Sequence, residues 1–173
     1  DNHRILRIRE TGPVEPMAGH GELTGTALPL ADAKVADPRR VLTVAGGRSY
    51  FVSRVGMVFR LRYVDPSGFL HDVYSSNRRI MDLALGPEGH IYFTEHHTIK
   101  KFDPKQANPE MIVVAGNGVP MRDPDGTAIG EARLRYPGHL SVGPDGSIYF
   151  IEENMFSGQL RAFVDGKLKT LAG

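Results

Sequence analysis

The sequence predicts an all-β chain of β-propeller type, built from repeated four-stranded sheets. Three observations carry that expectation. Segments 38–52, 80–94 and 137–151 superimpose without gaps, each an alternating apolar strand, a glycine-containing turn and a second strand carrying Tyr-Phe (Tyr50-Phe51, Tyr92-Phe93, Tyr149-Phe150). Two further apolar-alternating stretches follow each Tyr-Phe strand. The connections between units also repeat: Ala18-Gly19-His20-Gly21 leads to Thr26-Ala27 and Ala33, as Ala115-Gly116-Asn117-Gly118 leads to Thr127-Ala128 and Ala132.

The elements follow in order. Residues 1–8 occupy the third-strand position of a unit and 14–19 the fourth, so 1–37 reads as half a blade plus its inter-blade loop. Residues 38–78 read as a blade, 79–136 as a blade plus loop, and 137–173 as a blade, together one domain over 1–173. The first two strands of each blade meet at Ala45-Gly46-Gly47, Pro87-Glu88-Gly89 or Pro144-Asp145-Gly146, where Gly supplies the positive φ of a tight turn. Third strands are expected at 57–61, 98–102 and 159–163, and fourth strands at 69–74, 111–116 and 167–173. The middle blade has only the short Ser75-Ser76-Asn77 before it. Four short antiparallel strands cannot bury both faces alone; stacking such sheets radially does so and leaves only short edges.

Composition narrows the partners. With 40% hydrophobic and 24% charged residues the chain has globular composition. Lys+Arg 21 against Asp+Glu 20 shows no basic excess, so a nucleic-acid partner is not expected. The pairs Arg39-Arg40, Arg78-Arg79 and Lys100-Lys101 read as solvated faces. Absence of Cys excludes disulfides, thiolate metal sites and cysteine nucleophiles within the chain. No apolar run approaches the roughly 20 residues of a membrane helix, so membrane insertion is not expected.

The stretch from Ala115-Gly116-Asn117-Gly118 through Asp125-Gly126-Thr127-Ala128 to Pro137-Gly138-His139-Leu140, with Pro144-Asp145-Gly146 and Tyr149-Phe150-Ile151-Glu152, resembles the NHL repeat. The opening Asp1-Asn2-His3-Arg4-Ile5 is similar to the motif that names that family. The resemblance is to NHL propellers of bacterial extracytoplasmic and teneurin-like surface proteins. It implies a propeller, an extracytoplasmic location, and binding of proteins, RNA or carbohydrates, with lyases and hydrolases a minority among related propellers.

About three and a half blades are present, too few to close a ring of four to eight. The chain is therefore expected to belong to a larger propeller, its partner being the remaining blades or another protein. The function expected first is a non-catalytic interaction or scaffold module, leaning away from an enzyme. The alternative is a propeller lyase or hydrolase with an ion or polar site at the mouth of the central channel.

The repeat places Arg40, Asp82 and His139 at one equivalent first-strand position, where they can converge on a ligand or pair with one another at a wet channel mouth. Ser53, Glu95 and Glu152 share a later position, where a carboxylate would accept backbone N–H groups. Glu95, His96, His97, Glu153, Met155 and Phe156 are candidate partner contacts, the last two in an apolar loop. Neighbouring His on a strand point to opposite faces, so His96 and His97 are not expected to share a metal. No catalytic or metal residues are assigned and no cofactor is expected, calcium being the one ion considered. Asp123-Pro124-Asp125-Gly126 is too short for an EF-hand loop and reads as a turn.

Overall fold

The computed structural model describes residues 5–7, 14–18, 21, 23, 25–153 and 157–173, with 15–18 described for backbone only. It divides into two compact units, residues 1–77 and 78–173.

In the first unit, β1 (Ile5–Arg7) pairs antiparallel with β2 (Glu15–Ala18). A second sheet holds β3 (Leu28–Pro29), β4 (Arg39–Thr43), β5 (Ser49–Val55), β6 (Val58–Val64) and β7 (Phe69–Ser76), in the order β3-β7-β6-β5-β4. Its core joins Phe51, Val64 and Leu70 to Ala33 and Val35 of the preceding loop and to Ile5.

The second unit contains two four-stranded sheets. One holds β8 (Ile80–Leu85), β9 (Ile91–Glu95), β10 (Thr98–Phe102) and β11 (Ile112–Ala115). The other holds β12 (Pro137–Val142), β13 (Ile148–Glu153), β14 (Gly158–Val164) and β15 (Lys167–Ala172). Each sheet is a meander of antiparallel neighbours. Ile99 and Ala115 of one sheet share a core with Phe150 and Phe163 of the other, and Ala132 and Leu134 of the loop fill it between them. The Ala-x-hydrophobic lead-in, Ala33-Lys34-Val35 or Ala132-Arg133-Leu134, thus delivers a small and a larger apolar group into the core just before a first strand.

The long inter-blade loops do more than connect. In the first unit the loop contributes β3, which pairs with the outermost strand of the sheet it leads into, Leu28 opposite Leu70. In the second unit Ala128 bridges Lys167 of β15 in the same manner, reinforced by Ile129 N–H donating to Gly166 O at 2.8 Å. A sheet edge carries unpaired backbone groups, and each long loop covers one. Pro29 sits at the rim of β3, the position a strand proline tolerates.

Two expectations from the sequence need correction. The third strand of the first full sheet is Val58–Val64, extending to Val64 rather than ending at residue 61, because a longer β5–β6 hairpin carries its pairing further along. Ser75 and Ser76 belong to β7, not to the connection before β8. Among the described residues no helix is long and apolar enough to cross a membrane.

Candidate functional site

The first strands β4, β8 and β12 share a defect at the same place. Their pairing with the second strand slips between Arg39 and Val41, between Ile80 and Leu83, and between Gly138 and Ser141. Arg40, Asp82 and His139 lie in these slips. Such bulges re-aim side chains and recur next to active sites. Arg40 and His139 take φ of 48° and 49°, left-handed conformations that L-residues seldom adopt. Sequence alignment alone finds the equivalence of the three positions but carries no mark of the slip.

Within the second unit, Asp82 bonds the backbone of the residue that follows His139. Asp82 Oδ2 accepts the Leu140 N–H at 2.8 Å, and Oδ1 accepts the Leu83 N–H at 2.9 Å. The Asp82 N–H in turn donates to Thr94 Oγ1 at 3.1 Å. Asp82 is therefore a clamp holding the start of β12 against β8. Arg40 belongs to the first unit. His139 Nε2 lies 3.3 Å from Glu153 Oε1, with both side chains about half exposed. A carboxylate facing Nε2 favours the tautomer with its proton there and leaves the lone pair on Nδ1.

The β9–β10 hairpin turns at the same end of the sheet. Its two turn residues are His96 and His97, so they do not lie on a strand pointing to opposite faces. Their rings are 3.7 Å apart between centroids, and the Tyr136 ring lies 4.3 Å from His97 and 5.4 Å from His96. His97 is buried, and its Nδ1 accepts the Tyr136 N–H at 3.2 Å. Its proton is thus on Nε2. Burial, with His96, Arg78 and Arg135 nearby, holds its pKa down at about 4. Tyr136 was not expected from the sequence as a site residue; its φ of 50° and exposed ring mark it.

Of the expected partner contacts, Glu95 and His97 are buried while His96 is half-buried and Glu153 is accessible. Met155 and Phe156 lie outside the described residues. Glu95 pairs with Lys100. Glu152, at the equivalent position, accepts the Arg135 N–H at 2.7 Å and Arg161 Nη1 at 2.8 Å. Arg161, Lys100 and Arg62 face Phe150, Phe93 and Phe51 in the strand register, so they form one series of cations inside the sheets. Arg62 donates to the loop carbonyls of Gly25 and Lys34, at 2.5 and 3.4 Å, and Arg161 to that of Asp123 at 2.7 Å. Each arginine ties down a long inter-blade loop; where no long loop precedes the sheet, the cation is Lys100. Asp123-Pro124-Asp125-Gly126 is part of this anchorage, with Asp123 held by Arg133 and Asp125 accepting the Thr170 N–H at 2.9 Å. Among the described residues no group of three or more His, Asp or Glu is placed to hold a metal ion.

No protein-family model and no curated protein matches the chain. Solved structures do. A gluconolactonase from Xanthomonas campestris superimposes with a TM-score of 0.64 at 14% identity, over 96% of this chain and 54% of that one. Virginiamycin B lyase from Staphylococcus aureus gives 0.57 at 14% identity, over 98% and 48%. A candidate 6-phosphogluconolactonase from Bacteroides uniformis gives 0.55 at 21% identity, over 97% and 48%. The fold is a β-propeller. The chain spans about half the length of these propellers. At such identities the likeness carries the propeller fold and does not single out the NHL repeat.

Proposed function

We propose that this chain carries acid–base machinery of a propeller enzyme, a lyase or a hydrolase, rather than a purely non-catalytic scaffold. The observation that supports it is the His139–Glu153 pair, raised on a first-strand bulge that Asp82 holds in place. In this reading His139 Nδ1 is the base. It takes a proton from the substrate carbon in an elimination, or from the attacking water in a hydrolysis, and Glu153 stabilises the imidazolium that forms. Both reaction types share that step, and both are represented among propellers of this fold by the lyase and the gluconolactonase. In the Staphylococcus aureus lyase a histidine-to-alanine change is catalytically inactive, so chemistry of this kind is accessible to the fold.

The test is turnover of gluconolactone and of virginiamycin B by the full-length protein containing this chain. His139→Gln is expected to lower kcat/KM at least about a hundredfold and Glu153→Gln about tenfold, the range general acid–base catalysis supplies. Turnover unchanged by His139→Gln would remove the assignment, and absence of turnover with either substrate would return the interaction module to first place.

A further inference from the structure

Two residues of the β9–β10 hairpin are an expensive choice for their position. The corresponding two-residue turn between β5 and β6 is Gly56-Met57, with Gly56 at φ 59°. Here His96 occupies the same left-handed geometry at φ 53°. A non-glycine residue in that region costs on the order of 1 kcal/mol or more, and strain of this kind collects at ligand sites. The strain brings an imidazole into a cluster with His97 and Tyr136.

Positive charge also lies close to the cluster. Arg78 and Arg135 act on His97 together with His96, all of them disfavouring further positive charge. The carboxylates on the same elements are committed elsewhere: Glu95 to Lys100, Glu152 to Arg161 and to the Arg135 N–H, Asp82 to backbone, Glu153 to His139. His96 Nδ1 is buried and has no hydrogen-bond partner. A buried polar atom left so is rare and calls for an unseen partner.

We propose that the His96–His97 turn, with Tyr136 and the guanidinium group of Arg135, binds a small oxyanion: the carboxylate or phosphate group of a ligand. Guanidinium holds such groups by charge-assisted hydrogen bonds, and an imidazole N–H is a further donor to them. The proposal goes beyond the catalytic reading and stands without it, since it concerns binding at the turn and makes no use of His139.

The experiment titrates the full chain with inorganic phosphate, and separately with acetate, following the histidine ring signals by NMR at pH 7. Saturable shifts at His96 and His97 are expected. His96→Gly, which restores the residue found at the corresponding turn, should fold at least as stably as the parent and bind each anion at least about tenfold more weakly. Arg135→Gln should weaken binding by a similar factor, while His71→Gln in the first unit should leave it unchanged. Undiminished binding in His96→Gly, or no saturable response at either histidine, would overturn the proposal. His139→Gln separates the two readings: it should lower turnover at least about a hundredfold and leave anion binding intact.

Discussion

Arg161 and Glu152 face each other at 2.8 Å with both side chains sealed from solvent. The pair joins β13 to β14, and the same guanidinium reaches Asp123 O and Asp125 Oδ1, so strand pairing and loop anchorage share one group. Removing one member of a buried pair strands the other charge. Arg161→Met or Glu152→Leu alone is therefore expected to lower stability by about 3 kcal/mol or more. The double replacement should be much milder than the sum of the singles, because both sealed charges go together and the partners left over, Asp125 and Arg122, reach solvent. Urea unfolding of the four proteins gives the coupling directly; additive losses would show that the pair contributes no joint effect.

Arg62 makes the parallel connection in the first unit, with Nε 2.6 Å from Asp72 Oδ1 and its other nitrogens on loop carbonyls. Arg62→Lys copies the cation found in the middle sheet, where no long loop has to be held. A lysine ammonium cannot span an aspartate and two carbonyls in a planar fork. The variant is expected to keep the sheet and loosen residues 25–34, seen as faster amide exchange there with little change in β5 and β6. Equal loosening across the sheet would mean that Arg62 supports the strands rather than the loop.

His97 sets a pH dependence whose sign follows from its low pKa. In the folded chain it titrates at about 4, against 6.5 when unperturbed. The unfolded chain therefore takes up the proton first as pH falls. The contribution of neutral, buried His97 is complete above about pH 6.5, is lost progressively between 6.5 and 4, and the loss is finished near pH 4. Its size is up to about 3 kcal/mol at 1.36 kcal/mol per pKa unit. The lowered carboxylates are Asp123 through its bond from Arg133 and Asp145 through the Ser147 N–H, both below 3.8, and Glu88, whose burial is outweighed by the Tyr92 hydroxyl, below 4.5. They begin to lose their contribution only at about pH 5, so the slope between 6.5 and about 5 is the histidine's. A denaturation series from pH 7 to 4 should slope in the parent and flatten in His97→Gln, whose amide oxygen can still accept the Tyr136 N–H.

Much of the fold is legible because strand periodicity and turn glycines are local signals. The Tyr-Phe strands and their Gly46-Gly47, Gly89 and Gly146 turns fall where alternation places them. The cation series of Arg62, Lys100 and Arg161 escapes a gapless alignment because the β9–β10 hairpin is shorter than the β5–β6 and β13–β14 ones, which sets Lys100 four residues out of step with the two arginines. The strand β3 escapes because Leu28-Pro29 has neither alternation nor length, and its pairing is decided by the edge it covers. At the site, equivalence of Arg40, Asp82 and His139 is visible in the repeat, whereas their bulges depend on a backbone slip that no residue type announces. Burial of His97 is equally hidden: adjacent histidines look like a polar strand end until the hairpin turn points one inward.

Gly116 offers a test of how tightly that turn is built in. It sits at φ 84°, and a Cβ there would lie 2.2 Å from His97 O and 2.9 Å from Thr98 Cα, both backbone atoms. Gly173, at the end of the last sheet, has the same kind of crowding against Gly158 O at 2.6 Å. Gly146 has a similar φ of 82° but open space around it. Gly146→Ala therefore carries only the conformational term, about 1–2 kcal/mol. Gly116→Ala carries that term and must also push the His96–His97 turn away from β11. It is expected to cost clearly more than Gly146→Ala in urea unfolding, and to perturb the His97 ring signals and Tyr136 amide exchange while Gly146→Ala leaves both alone. Equal losses in the two variants would mean that the β9–β10 turn yields easily, and the tight seating argued here for His97 would be wrong.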